Sequence, residues 1–86
     1  MHNVTYSKQA ARTLSRIPRK LALSIQAKIA AVGADPYAKH NNVARLKGRD
    51  GYRLRVGDWR IIYEIVDTQL VIHVVRIASR GGIYQE

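Results

Sequence analysis

The chain has 86 residues, 47% hydrophobic and 24% charged, which predicts one compact domain over residues 1–86 with no second domain or lid. Its longest apolar runs fall far short of the roughly 20 residues of a membrane span, the N-terminus MHNVTYSKQ has no signal-peptide pattern, and cysteine is absent. Disulfides and thiolate metal sites are thereby excluded, a cytoplasmic protein with no membrane contact is expected, and a net charge of +9 from 15 Lys+Arg against 6 Asp+Glu points to polyanionic partners.

Val4 and Tyr6 alternate with polar neighbours, which predicts a short first strand, and Thr5 or Ser7 then serves as cap for a helix starting near Lys8. Ala11, Leu14 and Ile17 mark one face of that helix, while Lys8, Arg12 and Arg16 recur every four residues on another. Pro18 breaks it and suits the first turn of a second helix. Leu21, Ile25, Ile29 and Val32 stripe that second helix, and Gly33 reads as its stop. Met1 to Ala34 holds six basic residues and no acidic one.

Tyr37 to Gly51 lacks periodicity and reads as a long connection with a helical turn near Val43 to Leu46; it carries Lys39, Arg45, Lys47 and Arg49. From Tyr52 the period becomes two, giving a strand to Val56, a Gly57-Asp58 hairpin turn and a returning strand from Trp59 to Val66. After a turn at Asp67-Thr68-Gln69, Leu70 to Ile77 completes an antiparallel meander, followed by a polar tail from Ala78 to Glu86. The expected fold is α+β: a strand and helical hairpin packed on a twisted, mainly antiparallel sheet of four strands. Leu54, Val56, Trp59, Ile61, Tyr63 and Ile65 would face Leu14, Ile17, Leu21, Ile25 and Ile29 in the core.

A two-residue hairpin sets Val56 opposite Trp59, Arg55 opposite Arg60 and Arg53 opposite Ile62, so three arginines share one face. Opposed like charges destabilise a strand pair, and a phosphate between Arg55 and Arg60 would remove the repulsion. A solvated face on which the long side chains fan apart accounts for the same pattern. If the next turn is a three-residue connection, Arg76 and Arg80 share that face, with Arg60 and Arg80 pointing to solvent or ligand and away from the core.

Leu46-x-Gly48, then Tyr52-Arg53-x-Arg55-x-Gly57-x-Trp59-Arg60-x-x-Tyr63, then Arg80 and Tyr84, resembles the signature half of the RelE/ParE superfamily of bacterial toxins from toxin-antitoxin pairs. The first strand and helical hairpin fit the same family, so the resemblance runs from about Val4 to Tyr84. It implies a RelE-like toxin that enters the ribosomal A site and cuts messenger RNA, without metal or cofactor, by attack of the 2′-hydroxyl on the adjacent phosphate. The family's catalytic positions carry over as Arg53, Arg55, Arg60, Arg80 and Tyr84. Arg stands at the first two where the best-known RelE pattern has Lys, Ser79 stands where many relatives have His, and no terminal helix follows Tyr84.

Arginine stays charged and holds two phosphoryl oxygens at once, so Arg60 and Arg80 are assigned to phosphorane stabilisation. Arg53 and Arg55 are assigned to RNA binding, because guanidinium is a poor acid or base at neutral pH, and the basic Lys47 and Arg49 of the preceding connection are assigned to RNA binding with them. Tyr84 is the remaining candidate for proton transfer, or else for stacking on a base. The scattered His2, His40 and His73 lack metal-ligand spacing; His73, in step with Val71, Val75 and Ile77, reads as a core or edge residue. Expected partners are a cognate antitoxin with an acidic or amphipathic segment, the ribosome and its message, and operator DNA only through the antitoxin complex. The alternative within the resemblance is a ParE-like toxin that binds and poisons DNA gyrase without nuclease activity.

Overall fold

The structure, a computed structural model, describes residues 1–79. Strand β1 (Asn3–Tyr6) leads into helices α1 (Lys8–Arg16) and α2 (Arg19–Ala34), then β2 (Val43–Arg45), β3 (Tyr52–Val56), β4 (Trp59–Val66) and β5 (Val71–Ser79). They form one five-stranded sheet in the order β1-β5-β4-β3-β2, parallel between β1 and β5 and antiparallel elsewhere. The sheet thus has one strand more than expected, because Val43–Arg45, read as a helical turn, pairs with β3.

The helices start and stop for local reasons. Ser7 caps α1 by accepting from Ala10 N–H at 3.1 Å, and Pro18 occupies the N-cap of α2. Gly33 does not end α2 but lies in its last turn, buried, where a Cβ would stand 2.9 Å from the His2 carbonyl oxygen. Only glycine lets the incoming β1 backbone cross the helix this closely, and His2 N–H donates to Gly33 C=O at 2.8 Å.

Both helices cover one sheet face. Ala10, Ile25, Ile29 and Val32 pack on Leu54, Val56, Ile61, Tyr63, Ile72, Val74 and Ile77, while Trp59, Ile65, Leu14, Ile17 and Leu21 close the margin half-buried. Tyr63 is fully buried and stacks on Tyr52 with ring centroids 5.4 Å apart. Burial pushes its phenol up to about 12, helped by charge repulsion from Tyr52, so it stays protonated at neutral pH.

Strand β5 is held unevenly along its length. β1 pairs with it only as far as Tyr6 opposite Val74. Beyond that point side chains from the start of α1 take over. Ser7 Oγ donates to Val75 C=O at 2.6 Å, and the Gln9 amide brackets Ile77, donating to its carbonyl at 2.9 Å and accepting from its N–H at 3.0 Å. Gln9 therefore does the work of a missing strand neighbour. Gln9→Ala would leave both Ile77 groups without that partner and is expected to cost about 1 to 3 kcal/mol in chemical denaturation, with faster amide exchange at Ile77 than at Val74.

Candidate functional site

The hairpin register agrees with the sequence: Val56 lies opposite Trp59, Arg55 opposite Arg60 and Arg53 opposite Ile62. Register with β5 then sets Arg60 opposite Ala78 and Ile62 opposite Arg76. On the face away from the helices two adjacent rows result: Arg55, Arg60 and Ala78 in one, and Ala44, Arg53, Ile62 and Arg76 in the other. Four arginines surround the Ile62 side chain, with lateral neighbours about 5 Å and diagonal neighbours about 7 to 8 Å apart at Cβ. Ala44 and Ala78 flank them with little bulk.

Arg76 reaches this face by two departures from the simple count. The connection after β4 spans four residues, not three, since a 3₁₀ turn at Asp67–Gln69 ends in Leu70 with φ of 52° and Val66 pairs with Val71. An irregularity between Ile62 and Tyr63, where Ile62 pairs with Arg76 and Tyr63 with Val74, inserts Val75 as an extra residue. The first shift inverts the parity of β5 and the second restores it. Residues before the bulge keep the inverted parity, so His73 lies on the arginine face opposite Glu64. His73 is therefore half-buried outside the helix-covered core, hydrogen-bonded to Thr5 Oγ1 at 2.8 Å.

Arg60 corrects a second expectation. It lies on the predicted face but is only 6% exposed, the one charged residue buried among the described residues. Its Nε is buried with no hydrogen-bond partner there, and no ion pair reaches it. A buried cation without a counter-charge is costly and is the group that an incoming anion would satisfy. Arg55 is exposed beside it, while Arg53 and Arg76 are half-buried. A cavity of about 210 Å³ lined by Asn42, Val43, Ala44, Arg53 and Arg55 adjoins the first row.

The other assigned residues divide. Lys47 and Arg49 are exposed on the loop between β2 and β3, at the Tyr52 end of β3 and away from the Arg55 and Arg60 row. Arg80 and Tyr84 lie outside the described residues. Ser79 ends β5 opposite Trp59. At the far end of the sheet Asp67 accepts from Tyr37 and is 2.9 Å from His2 Nε2. Those two hydrogen bonds hold its carboxyl below the usual range, and the same bond raises the Tyr37 phenol. This cluster ties β1 and the connection after α2 to the turn after β4, remote from the arginine rows. Among the described residues no group of three or more His, Asp or Glu side chains is placed to hold a metal ion.

A family model described as the ParE toxin of the type II toxin-antitoxin system parDE matches residues 4–84. The chain belongs to that family. Relatives extend the assignment across the RelE/ParE superfamily: the RelE1 protein of Methanocaldococcus jannaschii is 28% identical over 85 residues, covering 96% of this chain and 94% of that one. The toxin-antitoxin fold is shared with the archaeal RelE-RelB complex from Pyrococcus horikoshii OT3, at a TM-score of 0.79 and 26% identity over 93% of this chain and 96% of that chain. The isolated E. coli RelE toxin superposes with a TM-score of 0.79 at 18% identity, covering 99% and 93% of the two chains. The ParE-family chain is thus a type II toxin whose two helices and five-stranded sheet reproduce the RelE architecture.

Proposed function

We propose that this toxin is a ribosome-dependent endoribonuclease that cuts messenger RNA without a metal ion, in the manner of RelE. The observation that carries the reading is Arg60, buried, with its Nε lacking a hydrogen-bond partner among the described residues, in a field of Arg53, Arg55 and Arg76. In the reaction the 2′-hydroxyl oxygen bonds to the adjacent phosphorus while the bond to the 5′-oxygen breaks, leaving a 2′,3′-cyclic phosphate and a 5′-hydroxyl. One proton leaves the 2′-hydroxyl and one reaches the 5′-oxygen. Arg60 and Arg80 hold the non-bridging oxygens of the phosphorane, where charge builds up. Arg53 and Arg55 seat the flanking phosphates, and Tyr84 exchanges protons with the reacting oxygens. Lys47 and Arg49 engage RNA farther along β3, outside this core set.

The same chain is expected to be held inactive by a cognate antitoxin, a pairing supported by the RelE-RelB complexes among its structural neighbours. Operator DNA would be reached only through that complex. A second reading, inhibition of DNA gyrase by protein binding, is favoured by one observation, the match to the ParE model. Primer extension on message from programmed ribosomes, run beside a gyrase supercoiling assay with the same protein, separates the two. Discrete cuts within the A-site codon with unchanged supercoiling support the nuclease; inhibited supercoiling with intact message replaces it by the gyrase reading.

A further inference from the structure

A cavity of about 460 Å³, within the usual range of a ligand site, opens toward the end of the sheet remote from Arg60. It exists because β3 begins only at Tyr52, opposite Tyr63, while β4 runs on from Glu64 to Val66 with β5 alone beside it. The Asp50-Gly51 end of the loop between β2 and β3, and Tyr37 from the connection after α2, enclose the gap.

Its walls combine a stacking surface with hydrogen-bond acceptors. Tyr37 is the one exposed aromatic residue among those described, yet its hydroxyl is tied down by donating to Asp67. An exposed ring held in place is a preformed platform for a base. Tyr52, stacked on Tyr63, is capped by the Arg45 guanidinium 5.9 Å from its ring centroid. Arg45 thus builds a positive charge into the wall, which opposes a metal ion or a free amine as occupant. Asp50 and Glu64 supply the acceptors, both exposed and without an ion pair among the described residues.

The cavity lies on the track of the cations. Glu64 stands one step, about 7 Å, beyond the Arg53 and Arg76 row and two steps, about 14 Å, beyond Arg60. Lys47 and Arg49 are exposed on the same loop that supplies Asp50 and Gly51. A strand of RNA whose phosphates follow Arg60, Arg53 and then that loop passes the mouth of the cavity. Carboxylates there repel its phosphates but accept from its bases, so a base edge is what turns inward. We infer that this cavity is a base-reading subsite for single-stranded RNA flanking the cut bond, in which a base stacks on Tyr37 and donates its exocyclic amino group to Glu64. The assignment to RNA rests on the proposed nuclease reading. Cytosine, adenine and guanine carry such an amino group, whereas uracil presents a carbonyl oxygen in place of cytosine's, and a carboxylate only accepts. Uracil is therefore the base rejected.

The test is equilibrium binding of the full chain to short oligocytidylate and oligouridylate RNAs of equal length, which carry the same backbone and differ in the hydrogen-bonding edge of the base. Oligocytidylate should bind about 5-fold tighter or more, and Glu64→Gln should bring the two affinities within about 2-fold, because the amide offers a donor and an acceptor in the same shape. Tyr37→Leu should weaken both RNAs about 5-fold or more, since stacking is indifferent to the base, while Tyr37→Phe, which keeps the ring, should lose less than about 3-fold. Equal affinity for the two RNAs in the wild type, or binding of neither, overturns the proposal, as does a preference undiminished in Glu64→Gln. Loss of antitoxin binding in Tyr37→Leu with both RNA affinities unchanged also overturns it and assigns the cavity to a protein partner. Because the readout is binding, a Glu64-dependent preference in a toxin that leaves programmed message uncut supports the subsite and refutes only the nuclease reading, whereas cleavage without the preference refutes only the subsite.

Discussion

Arg60→Ala is expected to lower single-turnover cleavage of ribosome-bound message about 100 to 1000-fold, the scale on which a preorganised donor to a developing anion acts. Arg60 is preorganised by burial: β4 fixes its backbone, Arg55 lies opposite on one side and Ala78 on the other, and its Nε has no partner among the described residues. Its charge is thus presented in surroundings drier than those of exposed Arg55, where an interaction with phosphate is less screened by water. The same burial makes a second expectation unusual for an active-site residue. Arg60→Met removes an uncompensated charge while keeping much of the volume, so its thermal midpoint should equal or exceed that of the wild type. Loss of cleavage together with retained or raised stability would identify Arg60 as held for an anion. A midpoint depressed in Arg60→Met as far as in a core truncation such as Ile61→Ala, for which about 2 to 5 kcal/mol is expected, would instead make it a structural residue.

The hairpin carrying this residue was legible because its determinants are local. Gly57-Asp58 between two alternating segments fixes the pairing of Arg55 with Arg60, and Gly57 takes the φ of +58° that such a tight turn favours. The core was legible for the same reason, since helical and strand periods selected residues that now meet between the layers. Strand β2 was not. Three residues carry too little alternation to distinguish a strand from a turn, and Val43–Arg45 is extended because β3 offers it a partner.

The position of β5 shows a subtler limit of sequence patterning. Leu70 adopts a left-handed conformation that leucine rarely takes, and the bulge at Val75 has no glycine to announce it. Each shifts the strand by one residue in the same direction, so together they displace it by two and return Arg76 to its expected side, opposite Ile62 instead of Arg60. His73 lies before the bulge and feels only the first shift, so its expected place beside Ile77 becomes one beside Glu64. The bulge coincides with the point where β1 ends and Ser7 and Gln9 begin to hold β5. The first turn of α1 therefore helps to set the strand from which the chain continues to Arg80 and Tyr84.

The placement of His73 on the arginine face introduces a competitor for proton transfer, and Tyr84→Phe compared with His73→Gln decides between them. Glu64 and His73 form a row two steps along β4 from the Arg60 row, about 14 Å, and one step from Arg53 and Arg76, about 7 Å. A general base must come within hydrogen-bond reach of the attacking hydroxyl, about 3 Å, which a phosphate centred on Arg60 does not allow from the His73 row. Tyr63, the phenol on β4, is buried on the helix side and held protonated by its raised pKa. Tyr84 follows Ser79 by five residues, a reach of at most about 18 Å from the end of β5, where Ala78 pairs with Arg60. Tyr84→Phe is therefore expected to lower single-turnover cleavage about 100-fold or more while preserving ribosome binding, and His73→Gln to change the rate by less than about 10-fold. Tyr84→Ala should in addition weaken RNA engagement by about 1 to 3 kcal/mol if the ring also stacks on a base. Near-wild-type cleavage by Tyr84→Phe would leave the tyrosine only that stacking role, and a 100-fold loss in His73→Gln would move the proton-transfer step to the Glu64 row.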